Sequence, residues 1–170
     1  MKYAILTHGG AASPAANADG CVAAAEAARA VLDAGGDALA AAIEATRLLE
    51  DDPRFNAGTG SNLRLDGVTI EMDASVMASD GRFGSVVGIQ RVRNPVLVAA
   101  RVMETPHIAL GGDGATAFAR RVGFADYDPT TDGARRKHAR AVAELSDAGD
   151  GDYAVDALPW RRPMKGGAMP

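Results

Sequence analysis

Residues 54–61 read Arg54-Phe55-Asn56-Ala57-Gly58-Thr59-Gly60-Ser61, and this stretch decides how the 170-residue sequence is divided. A helical spacing of apolar residues ends just before it, at Asp51-Asp52-Pro53. A spacing of two, typical of strands, begins just after it at Asn62. Glycine-rich sequence between two regular patterns favours a loop. We therefore predict that this loop joins a helical part of the chain to a strand-rich part.

One strand and two helices are predicted before the loop. The short apolar segment Tyr3–Leu6 predicts a buried strand. Asp19 is the expected N-cap of a first helix that continues to Leu32, because a short acidic side chain accepts hydrogen bonds from the free N–H groups of a first turn. Asp37 is the expected N-cap of a second helix that continues to about Glu50.

Antiparallel strands are predicted after the loop. Val68, Ile70 and Met72 alternate with polar residues, and the Asp-Gly pairs at 66–67 and 80–81 are typical of hairpin turns. This pattern predicts a β-meander. Leu63 and Leu65 precede the first turn, and three strands are expected: one through Val68, Ile70 and Met72, a second at Ala74–Ala78 and a third at Phe83–Arg93.

Helices and one more strand alternate in the part of the chain that follows. Asn94-Pro95 is expected to open a helix over Val96–Met103. A short strand is expected at Pro106–Leu110, and glycines 111–114 then lead into a helix over Ala115–Val122. The resulting order β-α-α-β-β-β-α-β-α indicates an α/β or α+β fold, in which helices cover a layered sheet.

The last part of the chain has a different composition. A polar, basic helix is predicted over Ala134–Leu145, and glycine, aspartate and proline dominate after it. Such a composition is typical of a linker rather than a core element. We therefore expect a core over residues 1–124, followed by a C-terminal helix and a flexible linker over residues 125–170.

Composition and charge exclude several classes of protein. The net charge is −4 and no basic excess exists, so nucleic-acid binding is not expected. No window of about 18 apolar residues exists, which argues against a membrane span. The single cysteine, Cys21, excludes an internal disulfide and a multi-cysteine zinc site, and a lone thiol suits the reducing cytoplasm. Aromatic residues make up only 5%, which hints that the chain does not complete its core alone.

Simple motifs for phosphate binding or acid–base catalysis are incomplete. Gly58-Thr59-Gly60 lacks a third glycine, and glycines 111–114 open a helix without a following lysine, so both argue against a phosphate site. A stand-alone phosphate-binding α/β domain is kept as an alternative because it would explain the glycine-rich loops without a partner chain. Glu71 and Asp73 share a strand face and are a candidate carboxylate pair, unless they are ordinary exposed acids. Among the histidines, His8 is the candidate site residue because two glycines follow it at a predicted strand end.

A set of short motifs in fixed order carries more information than any one of them. The set consists of His8-Gly9-Gly10-Ala11, Phe55-Asn56-Ala57-Gly58-Thr59-Gly60-Ser61, Leu65-Asp66-Gly67, Glu71-Met72-Asp73-Ala74 with Met77, Arg93-Asn94-Pro95, Arg101-Val102-Met103-Glu104 with Pro106-His107, Gly112-Asp113-Gly114-Ala115, and Phe118-Ala119. In this order and spacing, the set resembles the α subunit of the plant-type asparaginase/isoaspartyl peptidase family of N-terminal-nucleophile hydrolases. The resemblance covers residues 2 to about 124.

The resemblance implies a fold, an assembly and an activity. The fold would be the α subunit of a four-layer αββα sandwich, completed by a β subunit from the same autocleaved precursor and paired as an (αβ)2 heterotetramer. The expected activity is hydrolysis of L-asparagine and β-aspartyl (isoaspartyl) dipeptides. A threonine at the start of the β subunit would be the nucleophile, with its own α-amine as base. Glycosylasparaginase-like or threonine-protease relatives of the same fold are the alternatives.

The same resemblance implies roles for residues of this chain. The nucleophilic threonine is absent from it, and His8, Gly9 and Gly10 would form the loop beside that threonine. Asn56 would be a positioning amide, because an amide both donates and accepts hydrogen bonds. The alternative for Asn56 is a loop cap that bonds the neighbouring backbone. No catalytic cofactor is expected.

A structural sodium ion is also implied by the resemblance. The segment from residue 49 to residue 59 is similar to a family loop that surrounds sodium with main-chain carbonyl groups, and oxygen ligands suit such a hard cation. The expected ligands are the carbonyls of Leu49, Glu50, Asp52, Phe55, Ala57 and Thr59.

Two positions depart from the family pattern. Ala12-Ser13 stands where relatives commonly keep a glycine after the His-Gly-Gly loop. The residues Ala168-Met169-Pro170 differ from the glycine or aspartate that usually precedes the nucleophilic threonine. We therefore expect the cleavage junction to lie beyond Pro170.

Overall fold

The computed structural model describes residues 2–11 and 13–147, which form five α-helices and three β-strands in a mixed α/β arrangement. The elements are α1 (Ala18–Asp33), α2 (Ala38–Asp51), β1 (Met72–Met77), β2 (Phe83–Ile89), α3 (Pro95–Met103), β3 (Ala109–Gly111), α4 (Gly112–Arg121) and α5 (Asp132–Asp147). A single 3-10 turn over Ala15–Asn17 precedes α1. No helix in the described ranges is long and apolar enough to cross a membrane.

Helices α1 and α2 pack closely because alanine lines their contact. Ala24 and Ala28 of α1 are buried against Ala41 and Ala45 of α2, and larger side chains such as Leu48 pack around this contact. Small side chains let two helix backbones approach, which explains why an alanine-rich sequence with few aromatic residues forms a tight pair.

The predicted N-cap of α2 is confirmed and that of α1 is wrong. The Asp37 carboxylate accepts a hydrogen bond from the Ala40 N–H at 2.7 Å. Helix α1 begins at Ala18, so Asp19 lies in its first turn. The Asp19 carboxylate instead accepts two hydrogen bonds from the Arg54 guanidinium, at 2.8 and 3.0 Å, which explains why it does not cap the helix.

The three strands form one sheet in the order β1-β2-β3. Strands β1 and β2 pair antiparallel, as the hairpin turn at 80–81 predicts. Strand β3 pairs parallel to β2, because α3 intervenes and returns the chain in the same direction. The last predicted strand of the meander, Phe83–Arg93, ends earlier, at Ile89.

Helices α3 and α4 cover one face of the sheet. Val86 and Ile89 of β2 pack there with Val98 of α3 and Ala115 of α4 in a fully buried cluster. Along the other face, Met77 and Val87 are 67% and 53% exposed. Within the described residues the sheet is therefore packed on one side only.

Gly84 sets the distance between β2 and α3. A Cβ atom added to Gly84 would lie 2.5 Å from the Met103 nitrogen and in collision with the Ala99 carbonyl oxygen. The strand and helix backbones are therefore in direct contact at this position, and only glycine permits that approach.

The predicted strand Tyr3–Leu6 is not formed. No described strand lies beside it to accept and donate ladder hydrogen bonds, and a strand needs such a neighbour. Ile5 packs instead toward the α1–α2 contact, while Leu6 is 96% exposed. The Tyr3 hydroxyl donates a hydrogen bond to Asp33 at 2.6 Å, which holds the segment on α1.

The strand predicted directly after the first Asp-Gly turn is also wrong. Asp66 accepts hydrogen bonds from the N–H groups of Val68 and Thr69, at 2.9 and 2.8 Å, and those donors are then lost to a ladder. Residues 62–71 form a loop, whereas the strand predicted at Ala74–Ala78 is found as β1, which begins two residues earlier, at Met72.

The remaining boundaries differ by a few residues. Strand β3 begins at Ala109, and α4 begins at Gly112 rather than Ala115 because the glycine run itself forms the first helical turn. The predicted helix over Ala134–Leu145 is confirmed as α5, with Ala134 buried. The predicted linker after residue 147 lies outside the described residues, and the division at residue 124 stays a prediction.

Candidate active site

A cleft of about 820 Å³ brings the predicted catalytic residues together. Its walls are the loop after residue 7, the C-terminal end of α2, the loop over residues 54–62 and strand β1. His8, Gly9, Gly10 and Asn56 all line it, although they come from two loops far apart in sequence. Clefts with a few convergent polar groups are the usual location of active sites.

The glycine loop lies directly on the buried Phe55 ring. A Cβ atom added to Gly9 would lie 2.6 Å from Phe55 Cε1 and 3.0 Å from Cys21 Sγ, so the close approach requires glycine. Gly10 has φ +93° and donates its backbone N–H to His8 Nδ1 at 3.0 Å. This bond orients the imidazole and turns the loop toward the cleft.

Asn56 is held by its amide oxygen. That oxygen accepts a hydrogen bond from the backbone N–H of Asn62 at 2.9 Å, which is the loop-capping contact expected as the alternative role. The exposed side chain also lines the cleft, so capping and positioning are compatible. The amide nitrogen has no hydrogen-bond acceptor among the described residues and is the group available to the cleft.

The loop predicted to hold sodium is tightly folded around main-chain oxygens. The Glu50 carbonyl accepts a hydrogen bond from Thr59 N–H at 2.8 Å, and the Asp52 carbonyl accepts one from Phe55 N–H at 3.1 Å. Gly58, with φ +50°, lies against the carbonyl oxygens of Glu50 and Arg93, so that any Cβ would collide with both. The carbonyls of Glu50 and Asp52, two of the six predicted ligands, therefore accept hydrogen bonds within the loop.

Within residues 2–11 and 13–147, no group of three or more His, Cys, Asp or Glu side chains is arranged to hold a metal ion. The predicted sodium ligands are main-chain groups, and that prediction is not tested by this observation. It stays a prediction for Leu49, Glu50, Asp52, Phe55, Ala57 and Thr59.

The Glu50 side chain is a buried group on the cleft that sequence reasoning missed. The residue is only 3% exposed, and its Oε1 accepts a hydrogen bond from the Val96 N–H at 2.9 Å. Oε2 has no hydrogen-bond partner among the described residues. Burial raises the pKa of this carboxyl to about 8, against the opposing effect of the Val96 N–H and the Asn94 amide. The available signal was its helical spacing from Ile43, which places it on the apolar stripe of α2.

The candidate carboxylate pair is divided between two environments. Asp73 lines the cleft, and its Oδ1 accepts a hydrogen bond from Gly88 N–H at 2.7 Å, where the register of β1 and β2 shifts. Glu71 forms an ion pair with Arg64 at 2.8 Å and does not line the cleft. Asp73 therefore stabilises a β-bulge at the cleft wall rather than acting with Glu71.

Residues after 124 also contact the site loop. The hydroxyls of Tyr127 and Thr59 are 2.9 Å apart, and Gly60 donates its N–H to the Pro129 carbonyl at 3.0 Å. Lys137 of α5 lines the cleft. The described part of the predicted C-terminal region therefore supports the loop that carries Asn56.

The described residues form a mixed α/β fold with one cleft that unites the predicted site residues, and comparison with known proteins identifies the family. The family model described as Asparaginase (Asparaginase_2) matches residues 1–157. The chain therefore belongs to the asparaginase family, which confirms the resemblance carried by the ordered motifs.

Curated relatives have the names that the resemblance implies. The plant-type L-asparaginase of Pyrococcus furiosus is 49% identical over 117 residues, covering 68% of this chain and 38% of that protein. The plant-type L-asparaginase of Thermococcus kodakarensis is 54% identical over 99 residues, covering 57% and 32%. The isoaspartyl peptidase/L-asparaginase of Nostoc sp. is 34% identical over 179 residues, covering 91% and 56%. The matched part of the chain thus covers between 32% and 56% of the length of these relatives.

Proposed function

We propose that this chain is the α subunit of an autoprocessed amidohydrolase that acts on L-asparagine and on β-aspartyl dipeptides. The observation that carries the proposal is the cleft that unites His8, Gly9 and Gly10 with Asn56 in a chain of the asparaginase family. The names of the relatives give the substrate classes.

The nucleophile in this proposal is a threonine at the start of a β subunit cut from the same precursor. Its hydroxyl oxygen bonds to the substrate carbonyl carbon while its free α-amine takes the hydroxyl proton. The C–N bond then breaks, and ammonia or the amine of the dipeptide leaves with that proton. Water hydrolyses the resulting ester and releases aspartate.

This chain's own residues position the reacting groups. The glycine loop allows the threonine and substrate to approach the backbone at Gly9 and Gly10, where a side chain would fill the space. Asn56 donates its amide N–H₂ into the cleft while its oxygen stays bound to Asn62. A fixed donor beside the reacting carbonyl stabilises charge that develops on oxygen.

The one-sided packing of the sheet supports a second half of the protein. The exposed face that carries Met77 and Val87, together with the exposed Leu6, offers apolar surface on which further strands would pack. The complete fold in this proposal is the four-layer αββα sandwich, paired as an (αβ)2 heterotetramer. The free Cys21 thiol is compatible with a cytoplasmic location.

A structural sodium ion belongs to the same proposal. The carbonyls of the 49–59 loop would hold it, and the ion would stiffen the loop that carries Asn56. No catalytic role is assigned to it, and no other cofactor is proposed.

Mass spectrometry of the protein expressed from its whole reading frame tests the proposal. We expect two fragments, of which the second begins with threonine, together with hydrolysis of a β-aspartyl dipeptide. Activity on a glycosylated asparagine instead would move the protein to the glycosylasparaginase-like alternative. A single uncut, folded and monomeric chain without amidase activity would overturn the proposal and favour the stand-alone phosphate-binding domain.

A further inference from the structure

The loop that carries Asn56 is held in a notch between the end of α2 and the start of α3. One wall of the notch is Glu50, whose carbonyl accepts the Thr59 N–H at 2.8 Å and whose Cβ lies against Gly58. The other wall is the Arg93 carbonyl, which also lies against Gly58. The position of the loop therefore depends on the distance between these two walls.

The Glu50 side chain ties the two walls together. Its Oε1 accepts the Val96 N–H, in the first turn of α3, at 2.9 Å, and this bond is buried. The Asp51 carboxylate accepts further hydrogen bonds, from the Arg93 guanidinium at 2.8 Å and from the Asn94 amide at 3.1 Å. The contact with Arg93 is exposed to solvent. In a buried site of low dielectric, a hydrogen bond such as the one from Val96 to Glu50 constrains geometry more strongly than a solvated one does.

Stability alone does not explain a carboxyl group at this position. Oε2 is buried without a hydrogen-bond partner among the described residues, and such burial costs free energy. The carboxyl group satisfies the Val96 N–H through Oε1 but leaves Oε2 unpaired, so it brings both a gain and a cost in stability. The distinctive property of this group is therefore the fixed position that it imposes between α2 and α3.

We propose that Glu50 is a positioning residue, which acts through the notch to fix the position of Asn56 in the cleft. The inference rests on the proposed function for its kinetic readout. Glu50 touches neither substrate nor nucleophile in this role, and its effect reaches the reaction only through the loop over residues 54–61.

Three substitutions in the whole, processed protein test this role. Glu50→Met keeps the volume and removes the acceptor, and Glu50→Asp keeps a carboxyl group but is too short to reach Val96. We expect both to fold and to lower kcat at least about tenfold with little change in KM, since displacements near 1 Å cost up to about a hundredfold. Glu50→Gln retains an oxygen acceptor and is expected to keep most of kcat. The control is Glu26→Met, at an exposed position on α1, with kcat unchanged.

A double-mutant cycle with Asn56→Ala separates positioning from a general structural role. If Glu50 acts through Asn56, Glu50→Met lowers kcat in the wild-type background and has little further effect in the Asn56→Ala background. Equal effects in both backgrounds would overturn the proposal, as would full kcat in either Glu50→Met or Glu50→Asp.

Hydrogen exchange supplies a readout that does not need turnover. We expect the Thr59 and Gly60 amides to exchange at least about tenfold faster in Glu50→Met and Glu50→Asp than in wild type, because the notch that protects them loosens. Unchanged exchange would overturn the positioning role. An inactive wild-type protein would contradict the proposed function, while this exchange comparison would still decide the role of Glu50.

Discussion

The amide oxygen of Asn56 accepts a hydrogen bond from the backbone N–H of Asn62 at 2.9 Å. This contact determines which end of the amide is available, because the oxygen is engaged within the loop and the nitrogen is left to donate. A single backbone bond thereby leaves the amide N–H₂ as the free hydrogen-bonding group of a side chain that lines the cleft.

Two substitutions at Asn56 separate the loop contact from the donor. Asn56→Asp keeps an oxygen for the Asn62 N–H and removes the amide donor, whereas Asn56→Ala removes both. We expect each to lower the rate of β-aspartyl dipeptide hydrolysis about a hundredfold, the usual effect of removing one donor at a reacting oxygen. Asn56→Asp should keep the thermal stability of the wild type. Near-normal turnover in Asn56→Asp would contradict the donor role.

Alanine substitutions at two glycines test the close packing of the site loop. Gly58 and Gly81 both have positive φ, of +50° and +88°, but only Gly58 has backbone within contact distance of an added Cβ. We expect Gly81→Ala to lower the free energy of unfolding by about 1–2 kcal/mol, the cost of the left-handed conformation. Gly58→Ala should add an overpacking cost of about 1–3 kcal/mol. Urea unfolding measures both, and equal losses would argue against the notch at Gly58.

Sodium should stabilise the folded protein if the 49–59 loop binds it. Replacing sodium chloride with choline chloride at constant ionic strength is expected to lower Tm. The free energy of unfolding should rise by about 1.4 kcal/mol for each tenfold increase of sodium above its Kd. Differential scanning calorimetry over a sodium series measures the effect. A flat series would contradict the predicted ion.

Acid should weaken the contact between Asp126 and Arg91. The Arg91 guanidinium, which binds the Asp126 carboxylate at 2.8 Å, lowers the pKa of that carboxyl from 3.8 to about 2. Because the folded-state pKa lies below the ordinary value, the stabilisation is present above pH 3.8 and is lost as the pH falls toward 2. We expect Asp126→Asn to reduce the slope of stability against pH in this window. Glu26→Gln, at an exposed position on α1, is the control and should leave the slope unchanged.

Local patterns in the sequence predicted the elements whose partners are close in the chain. Helical spacing located α2, and Asp37 marked its start because a cap contacts the backbone only three residues away. The hairpin of β1 and β2 followed from the turn at 80–81 for the same reason. The segment 3–6 could not be judged in this way, because forming a strand depends on a neighbour and not on the residues of the segment itself.

In the candidate site, too, residues marked by short motifs were predicted, and a contact between distant parts of the chain was missed. The order of motifs identified His8, Gly9, Gly10 and Asn56, and the structure places all of them on one cleft. The side chain of Glu50 was not identified because its partner, Val96, is 46 residues away and contributes only a backbone N–H. A backbone donor has no residue type and therefore leaves no mark in the sequence.

The contact at Gly84 makes the sheet a rigid support for the cleft. Helix α3 lies on the backbone of β2 at Gly84, and the first turn of the same helix holds Glu50 through Val96. The position of α3, and with it the contact of Val96 with Glu50 at the cleft, therefore depends on how closely the helix packs on the sheet at Gly84. A methyl group added at Gly84 would push α3 away from β2 and shift the Glu50 contact. Substitutions behind the cleft, and not only those at residues that line it, should therefore affect the site.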